Sequence, residues 1–182
     1  DNVRFRYSAS TPEVLKGGSF RIRRGQTLAL VGPTGSGKST VIRLLTRAYS
    51  GYEGSIRING EELRGIPVER LSRLISVVHQ NVFLFQGSIA FNIGLGRGHV
   101  TPEMIEAAGR YANAHAFVSR LEGGYGFSIA PGGGNLSTGQ GQLISLARAV
   151  AAQTDLIVLD EATASVDSLT EQLIQQALER LY

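Results

Sequence analysis

The chain has 182 residues, a net charge of +3, 42% apolar and 18% charged residues, which fits one folded domain with a real core. It has no cysteine, so disulfides and thiolate metal sites are excluded, and His79, His99 and His115 are too scattered to form a metal cluster. No apolar run approaches the roughly 20 residues needed to cross a bilayer, so a membrane role would need its span from another segment or chain.

The charge is uneven. Residues 1–50 hold nine Lys/Arg against Asp1 and Glu13; the remainder holds nine against thirteen acids. A solvated basic face explains this better than a nucleic-acid surface, because no known nucleic-acid-binding motif accompanies the arginines. Nucleic acid is therefore not an expected partner.

In chain order, Val3 to Tyr7 alternates like a strand with one buried face. Val14-Leu15 and Ser19 to Ile22 bracket Gly17-Gly18 and predict a second strand. Thr27 to Val31 reads as a buried strand and Val41 to Thr46 as a helix. Ser55 to Ile58 alternates again before Asn59-Gly60, a hairpin turn. Val68 to Leu74 predicts a short helix, Ile75 to His79 a strand, and Ser88 to Ile93 a helical turn.

Thr101-Pro102-Glu103 is a helix start with a hydroxyl cap, proline at the first position and an acid in the first turn. Met104, Ala108, Tyr111, His115 and Val118 continue it as a core stripe to Glu122-Gly123-Gly124. Pro131 to Gly134 reads as a flexible loop, and Asn135 to Gln140 opens a helix through about Ala152. Leu156 to Leu159 suits a strand buried on both faces, and a last helix runs from about Ser168 to Leu181.

Residues Gly32, Pro33, Thr34, Gly35, Ser36, Gly37, Lys38, Ser39 and Thr40 spell G-x-x-x-x-G-K-[ST] between the predicted strand and helix. The glycines let backbone N–H groups turn towards an anion. Lys38 can reach terminal phosphates, and the Ser39 hydroxyl can ligate Mg2+. This stretch alone predicts ATP or GTP as ligand.

Asp160 closes an apolar strand, where open α/β sheets place ligands, and can hold Mg2+ with Ser39. Glu161 is a candidate general base or water positioner. Gln80, at another strand end, could orient water or touch the metal. Ser137, Gly139 and Gln140 at a helix N-terminus form a second anion site, more than one nucleotide in one chain needs.

Together these motifs resemble the nucleotide-binding domain of ATP-binding cassette (ABC) transporters of the exporter type, over essentially all 182 residues. Gly32 to Thr40 matches Walker A, Gln80 the Q-loop, and Leu156 to Asp160 Walker B, with Glu161 in the catalytic-glutamate place. Leu136, Ser137, Thr138, Gly139 and Gln140 match the signature LSGGQ with Thr at the third position. Ser165-Val166-Asp167 resembles the D-loop, and Tyr7 matches the aromatic residue that stacks on adenine.

The resemblance implies an α/β fold: a P-loop NTPase (RecA-like) core, an N-terminal antiparallel β-subdomain and an inserted α-helical subdomain. It implies core residues 1–83 and 151–182 and a helical subdomain at about 84–150. The implied ligands are ATP and Mg2+, the metal held by Ser39, Gln80 and Asp160, with Glu161, Lys38 and Gln80 catalytic. A second nucleotide-binding domain, in a homo- or heterodimer, would meet the Walker face, while Leu136 to Gln140 and Asp167 would serve the partner's nucleotide. Transmembrane domains would dock around Phe83 to Ile93, at the cytoplasmic face of a cell membrane.

Three departures stand against the family pattern. The sequence reaches Tyr182 before the family's switch histidine and last core strand, so it is expected to be part of a longer chain. Ile129 to Gly134 lacks the acid usual before the signature, and Gly141-Gln142-Leu143 lacks the usual basic residues. With Thr138, these changes raise the alternative of an asymmetric heterodimer with one weak site. A soluble ABC ATPase of the DNA-repair type is excluded, since only 99 residues separate Lys38 from Ser137. The tandem-cassette translation-factor type stays as an alternative.

Overall fold

The computed structural model describes residues 1–160 and 168–180. It divides into two compact units, Asp1–Ile75 and Ser76–Tyr182. Among the described residues no helix is long and apolar enough to cross a membrane.

The first unit opens with β1 (Val3–Phe5), paired antiparallel with β2 (Leu15–Gly18) through Arg4 opposite Lys16 and Phe5 opposite Leu15. The second strand was expected to flank Gly17-Gly18 and resume at Ser19. It instead contains both glycines and stops there. Its only ladder partner among the described strands is β1, which is used up at Val3 opposite Gly18, and beyond it Phe20 and Ile22 lie exposed.

The predicted buried strand at Thr27 to Val31 does not form. Leu28 and Leu30 are exposed and Val31 is 93% exposed. Hydrophobicity marks a segment as fit for a central strand, but a central strand also needs a ladder on each side, and no described strand pairs with this segment.

Helix α1 (Lys38–Leu45) follows the glycine-rich loop and buries Leu44 against Phe5 and Tyr52. Next come β3 (Arg57–Ile58) and β4 (Glu61–Glu62), joined by Asn59-Gly60 with both φ positive (53° and 85°), as the hairpin reading requires. Helix α2 (Val68–Leu74) forms with the predicted bounds.

A polar knot sits under this hairpin. Glu62 accepts from the Tyr52 hydroxyl (2.8 Å) and the Ser55 hydroxyl (2.6 Å), and the Arg64 guanidinium lies 3.8 Å from the Tyr52 ring centre. Burial alone would raise the Glu62 carboxyl, but the bonds from Ser55, Tyr52 and the Ile56 N–H, with the Arg64 charge, hold it below its usual value. Burial, then the Glu62 bond and charge, pushes the Tyr52 phenol up to about 12.

In the second unit β5 (Ile75–Val78) pairs with β8 (Leu156–Leu159), and β6 (Gly87–Ser88) pairs antiparallel with β7 (Ser128–Ile129). Between them lie α3 (Ile89–Gly94), α4 (Pro102–Tyr111), α5 (His115–Val118) and α6 (Thr138–Ala151); α7 (Ser168–Glu179) follows β8. The core gathers Ile89 and Ile93 of α3, Ala108 of α4, Val118 of α5, Leu143, Ile144 and Ala147 of α6, and Ile174 and Ala177 of α7.

Thr101 caps α4 as predicted, accepting from the Met104 N–H. The single helix expected from Thr101 to Glu122 is two. It breaks after Tyr111, where Asn113 takes a left-handed φ of 59° and its side-chain amide donates to the Leu173 carbonyl (2.8 Å). His115 belongs to the second piece and shares a hydrogen bond with the Tyr125 hydroxyl (3.1 Å). Pro131 to Gly133 forms a 3-10 turn. Strand β8 is half-buried rather than buried on both faces, having β5 as its one ladder neighbour among the described strands.

Removing the Tyr52 hydroxyl should cost about 1.5–3 kcal/mol of stability at neutral pH, the net worth of a hydrogen bond to a charged group. Because the folded phenol titrates above the unfolded one, the parent's contribution is complete below about pH 10 and lost as pH rises through about 12. Urea unfolding of Tyr52→Phe against parent should therefore show a gap that closes over that alkaline window.

Candidate functional site

The glycine-rich loop lies in the first unit. Gly35 and Gly37 have φ of 85° and 97°, where side chains are strained. A Cβ on Gly37 would also lie 2.9 Å from Leu15 Cδ2, so β2 fixes how close the loop can come. Helix α1 begins at the next residue with no side-chain cap and no acid in its first turn. Its first N–H groups and the positive end of its dipole are thus left for an external anion.

Lys38 is half-buried. Its ammonium donates to the Gly32 carbonyl (2.6 Å) and the Pro33 carbonyl (3.1 Å), while the Ser36 N–H donates to Pro33 O (3.1 Å). The loop is wrapped around its own cation. Ser39 is exposed and Thr40 buried. Thr34 is an exposed loop residue.

Tyr7 belongs to the same unit. Its hydroxyl shares a 2.8 Å hydrogen bond with Thr40 Oγ1, and its ring meets Phe5 and Tyr49 edge-on at 5.1 Å each. The structure therefore brings together Tyr7 and the start of the phosphate-loop helix, which sequence spacing alone does not show.

Gln80, Asp160 and the segment Leu136 to Gln140 lie in the second unit. The Asp160 N–H donates to Val78 O (2.9 Å), which sets the end of β8 beside the end of β5 that leads to Gln80. The Gln142 amide of α6 reaches the Gln80 carbonyl at 3.5 Å. Leu84 approaches Gly133 and Gly141, so the segment after Gln80 packs on the start of α6.

That helix start is a capping box. Ser137 Oγ accepts from the Gln140 N–H (3.2 Å), and Gln140 Oε1 accepts from the Ser137 N–H (3.0 Å). The Gln140 carbonyl is thereby committed within its own helix. The Ser137 hydroxyl keeps its proton to donate, and exposed Thr138 and buried Gly139 bring first-turn N–H groups. Leu136 packs on the core. Glu161 and Asp167, both named from sequence, lie outside the described residues.

Phe83, Phe85 and Phe91 form an exposed aromatic face, with ring centres 5.0 Å (Phe83 to Phe85) and 6.3 Å (Phe85 to Phe91) apart. Two residues that the motif reading passed over support it. Fully buried Asn92 accepts from the Phe85 N–H and donates to the Phe85 and Ser88 carbonyls. Arg148 of α6 donates to Asn92 O (2.7 Å), Asn92 Oδ1 (3.1 Å) and Phe83 O (3.1 Å). Burial, and then the nearby Arg97 charge, lowers the Arg148 guanidinium to about 10. The available signal was the one polar side chain of α3 and the one charged side chain of α6.

An uncapped helix behind a glycine loop that curls around a lysine, with an acid at the end of a paired strand, marks a nucleoside-triphosphatase of the P-loop class. Residues 15–164 match the family model described as "ABC transporter", and the chain belongs to that family. It is 45% identical over 169 residues to "Uncharacterized ABC transporter ATP-binding protein YfiC" of Bacillus subtilis, covering 93% of this chain and 28% of that protein. It is 42% identical over 180 residues to the "ATP-dependent lipid A-core flippase" of Saccharophagus degradans, covering 99% and 30%. A solved structure of a bacterial Atm1-family ABC exporter with ATP bound superposes with a TM-score of 0.88 at 35% identity, covering 100% of this chain and 32% of that one. The chain thus spans about a third of the length of these relatives. ABC ATP-binding domains bind ATP and are ATPases coupled to transport.

Two substitutions probe the two units separately. Gly37→Ala forces a side chain into the left-handed region at about 1–2 kcal/mol and against Leu15, so ATP-induced thermal stabilisation should be lost. Asn92→Ala leaves the part-buried Phe85 N–H and carbonyl without their partner and should lower unfolding free energy by about 1–3 kcal/mol in urea titrations, with nucleotide binding retained.

Proposed function

We propose that this chain binds and hydrolyses ATP to power export of a substrate across a membrane through associated transmembrane domains. The observation that carries the reading is the loop of Gly32 to Thr40, folded with its lysine inward at the uncapped start of α1. In this reading the loop Gly32 to Thr40 receives the phosphates, and Tyr7 stacks on adenine. Lys38 follows the charge of the terminal phosphates, exchanging loop carbonyls for phosphate oxygens.

The donor set fits Mg2+, a hard cation that takes oxygen ligands. The Ser39 hydroxyl, the Gln80 amide oxygen and the Asp160 carboxylate are the groups that would hold it, and when bound it neutralises phosphate charge. Glu161 accepts the proton of the attacking water, with Gln80 orienting that water. These carboxylate and amide roles follow from the family motif read residue by residue.

The core is assigned to 1–83 and 151–182, carrying an antiparallel β-subdomain, and the helical subdomain to about 84–150. The segment Leu136 to Gln140, with Asp167, is assigned to the nucleotide of a second nucleotide-binding domain. The capped start of α6 supports this: it keeps one hydroxyl proton and first-turn N–H groups for an outside anion. The aromatic face of Phe83, Phe85 and Phe91 is assigned to the transmembrane domains, which places the chain at the cytoplasmic face of a membrane. Thr138 within the signature and Gly141 to Leu143 after it favour a pairing in which this chain's signature serves the weaker of two unequal sites.

The decisive measurement uses the full-length protein. Glu161→Gln should bind ATP normally and lose at least about 100-fold in turnover, the usual weight of a general base. Undiminished hydrolysis would remove Glu161 from the chemistry. Lys38→Ala should instead abolish binding.

A further inference from the structure

Tyr7 is held by the helix that carries Lys38. Its hydroxyl shares a hydrogen bond with Thr40 Oγ1 at 2.8 Å, and Arg43 Nη1 donates to the same oxygen at 3.3 Å. Thr40 and Arg43 are three residues apart on α1 and so lie on one face. Thr40 is 4% exposed, whereas Tyr7 keeps 39% of its surface open. Phe5 and Tyr49 meet the ring edge-on.

A tyrosine that merely ends a strand needs none of this, because water satisfies its hydroxyl at no cost. Here the anchor fixes the outer end of the side chain while the ring stays accessible. The Thr40 hydroxyl, bonded to the Tyr7 hydroxyl, ties the outer end of that side chain to α1. Arg43 adds a second donor to the same hydroxyl.

We propose that Thr40 and Arg43 are positioning residues that set the Tyr7 ring to receive the base of a purine nucleotide, so that one helix arranges both the phosphate end and the base end. This rests on the nucleotide role proposed above for Tyr7 and Lys38. A ring already frozen in place binds a base without paying for its own ordering, so the anchor acts on affinity through the base and not through the phosphates. Its signature is a split between ligands with and without a base.

The test is calorimetric binding of a non-hydrolysable ATP analogue and of inorganic tripolyphosphate to the full-length protein at matched Mg2+. Tyr7→Phe and Arg43→Ala should each raise Kd for the analogue about 3- to 10-fold, the weight of one hydrogen bond. Tripolyphosphate affinity should stay at the parent value. The double variant should bind no more weakly than Tyr7→Phe alone, because Arg43 acts through the hydroxyl. If Tyr7→Phe matches the parent while Tyr7→Ala loses affinity, the anchor is overturned and the stacking role of Tyr7 stands. If Tyr7→Ala also matches the parent, the nucleotide role of Tyr7 itself falls. An Arg43→Ala variant that weakens tripolyphosphate as much as the analogue would make Arg43 a direct phosphate ligand and overturn its positioning role.

Discussion

The constraint on which the first unit depends is that a loop built to receive an anion must hold its shape before the anion arrives. Backbone N–H groups turned to one point repel each other and leave their carbonyls turned away. Lys38 satisfies two of those carbonyls, Gly32 and Pro33, and so ties the loop across its own curl. The positive φ at Gly35 and Gly37 makes that curl sterically possible, and Leu15 limits how far Gly37 can move. The cost of organising the loop is met within the fold.

The second unit solves a different problem, which is to keep exposed aromatic rings in a fixed arrangement. Phe83, Phe85 and Phe91 gain little by packing on each other at the surface, so their order comes from the backbone beneath them. Asn92 holds both polar groups of Phe85, and Arg148 holds Asn92 and the Phe83 carbonyl. Arg148 gives up solvation to do this, which its lowered pKa registers. Because Arg148 stands on α6, the helix that opens at Ser137, the aromatic face and the signature segment belong to one packed body.

What the sequence made legible is what depends on neighbours in sequence. The bounds of α2, the hydroxyl cap of α4, the turn at Asn59-Gly60 and the start of α6 all follow from groups within four residues of one another. The phosphate loop is legible for the same reason, since its glycines, lysine and helix are contiguous. Strand pairing was not. Thr27 to Val31 has the composition of a central strand, yet ladders come from distant segments, and nothing in those five residues names a partner. The break of the predicted long helix at Asn113 was missed because its cause lies in the Leu173 carbonyl, 60 residues away.

The same division separates the candidate site residues. Lys38 and Ser39 stand out through a local pattern, whereas Arg43, Tyr49 and Arg148 were missed because their partners lie far away in sequence. Tyr7 stands between the two groups. Its nucleotide role was reached only through family resemblance, since on physical grounds it was a strand-end tyrosine. The fold adds that its hydroxyl, bonded to Thr40 and approached by Arg43, more than 30 residues on, is a restrained group. A surface ring that is both restrained and open is fitted to receive a flat ligand, and the helix restraining it also begins the phosphate site.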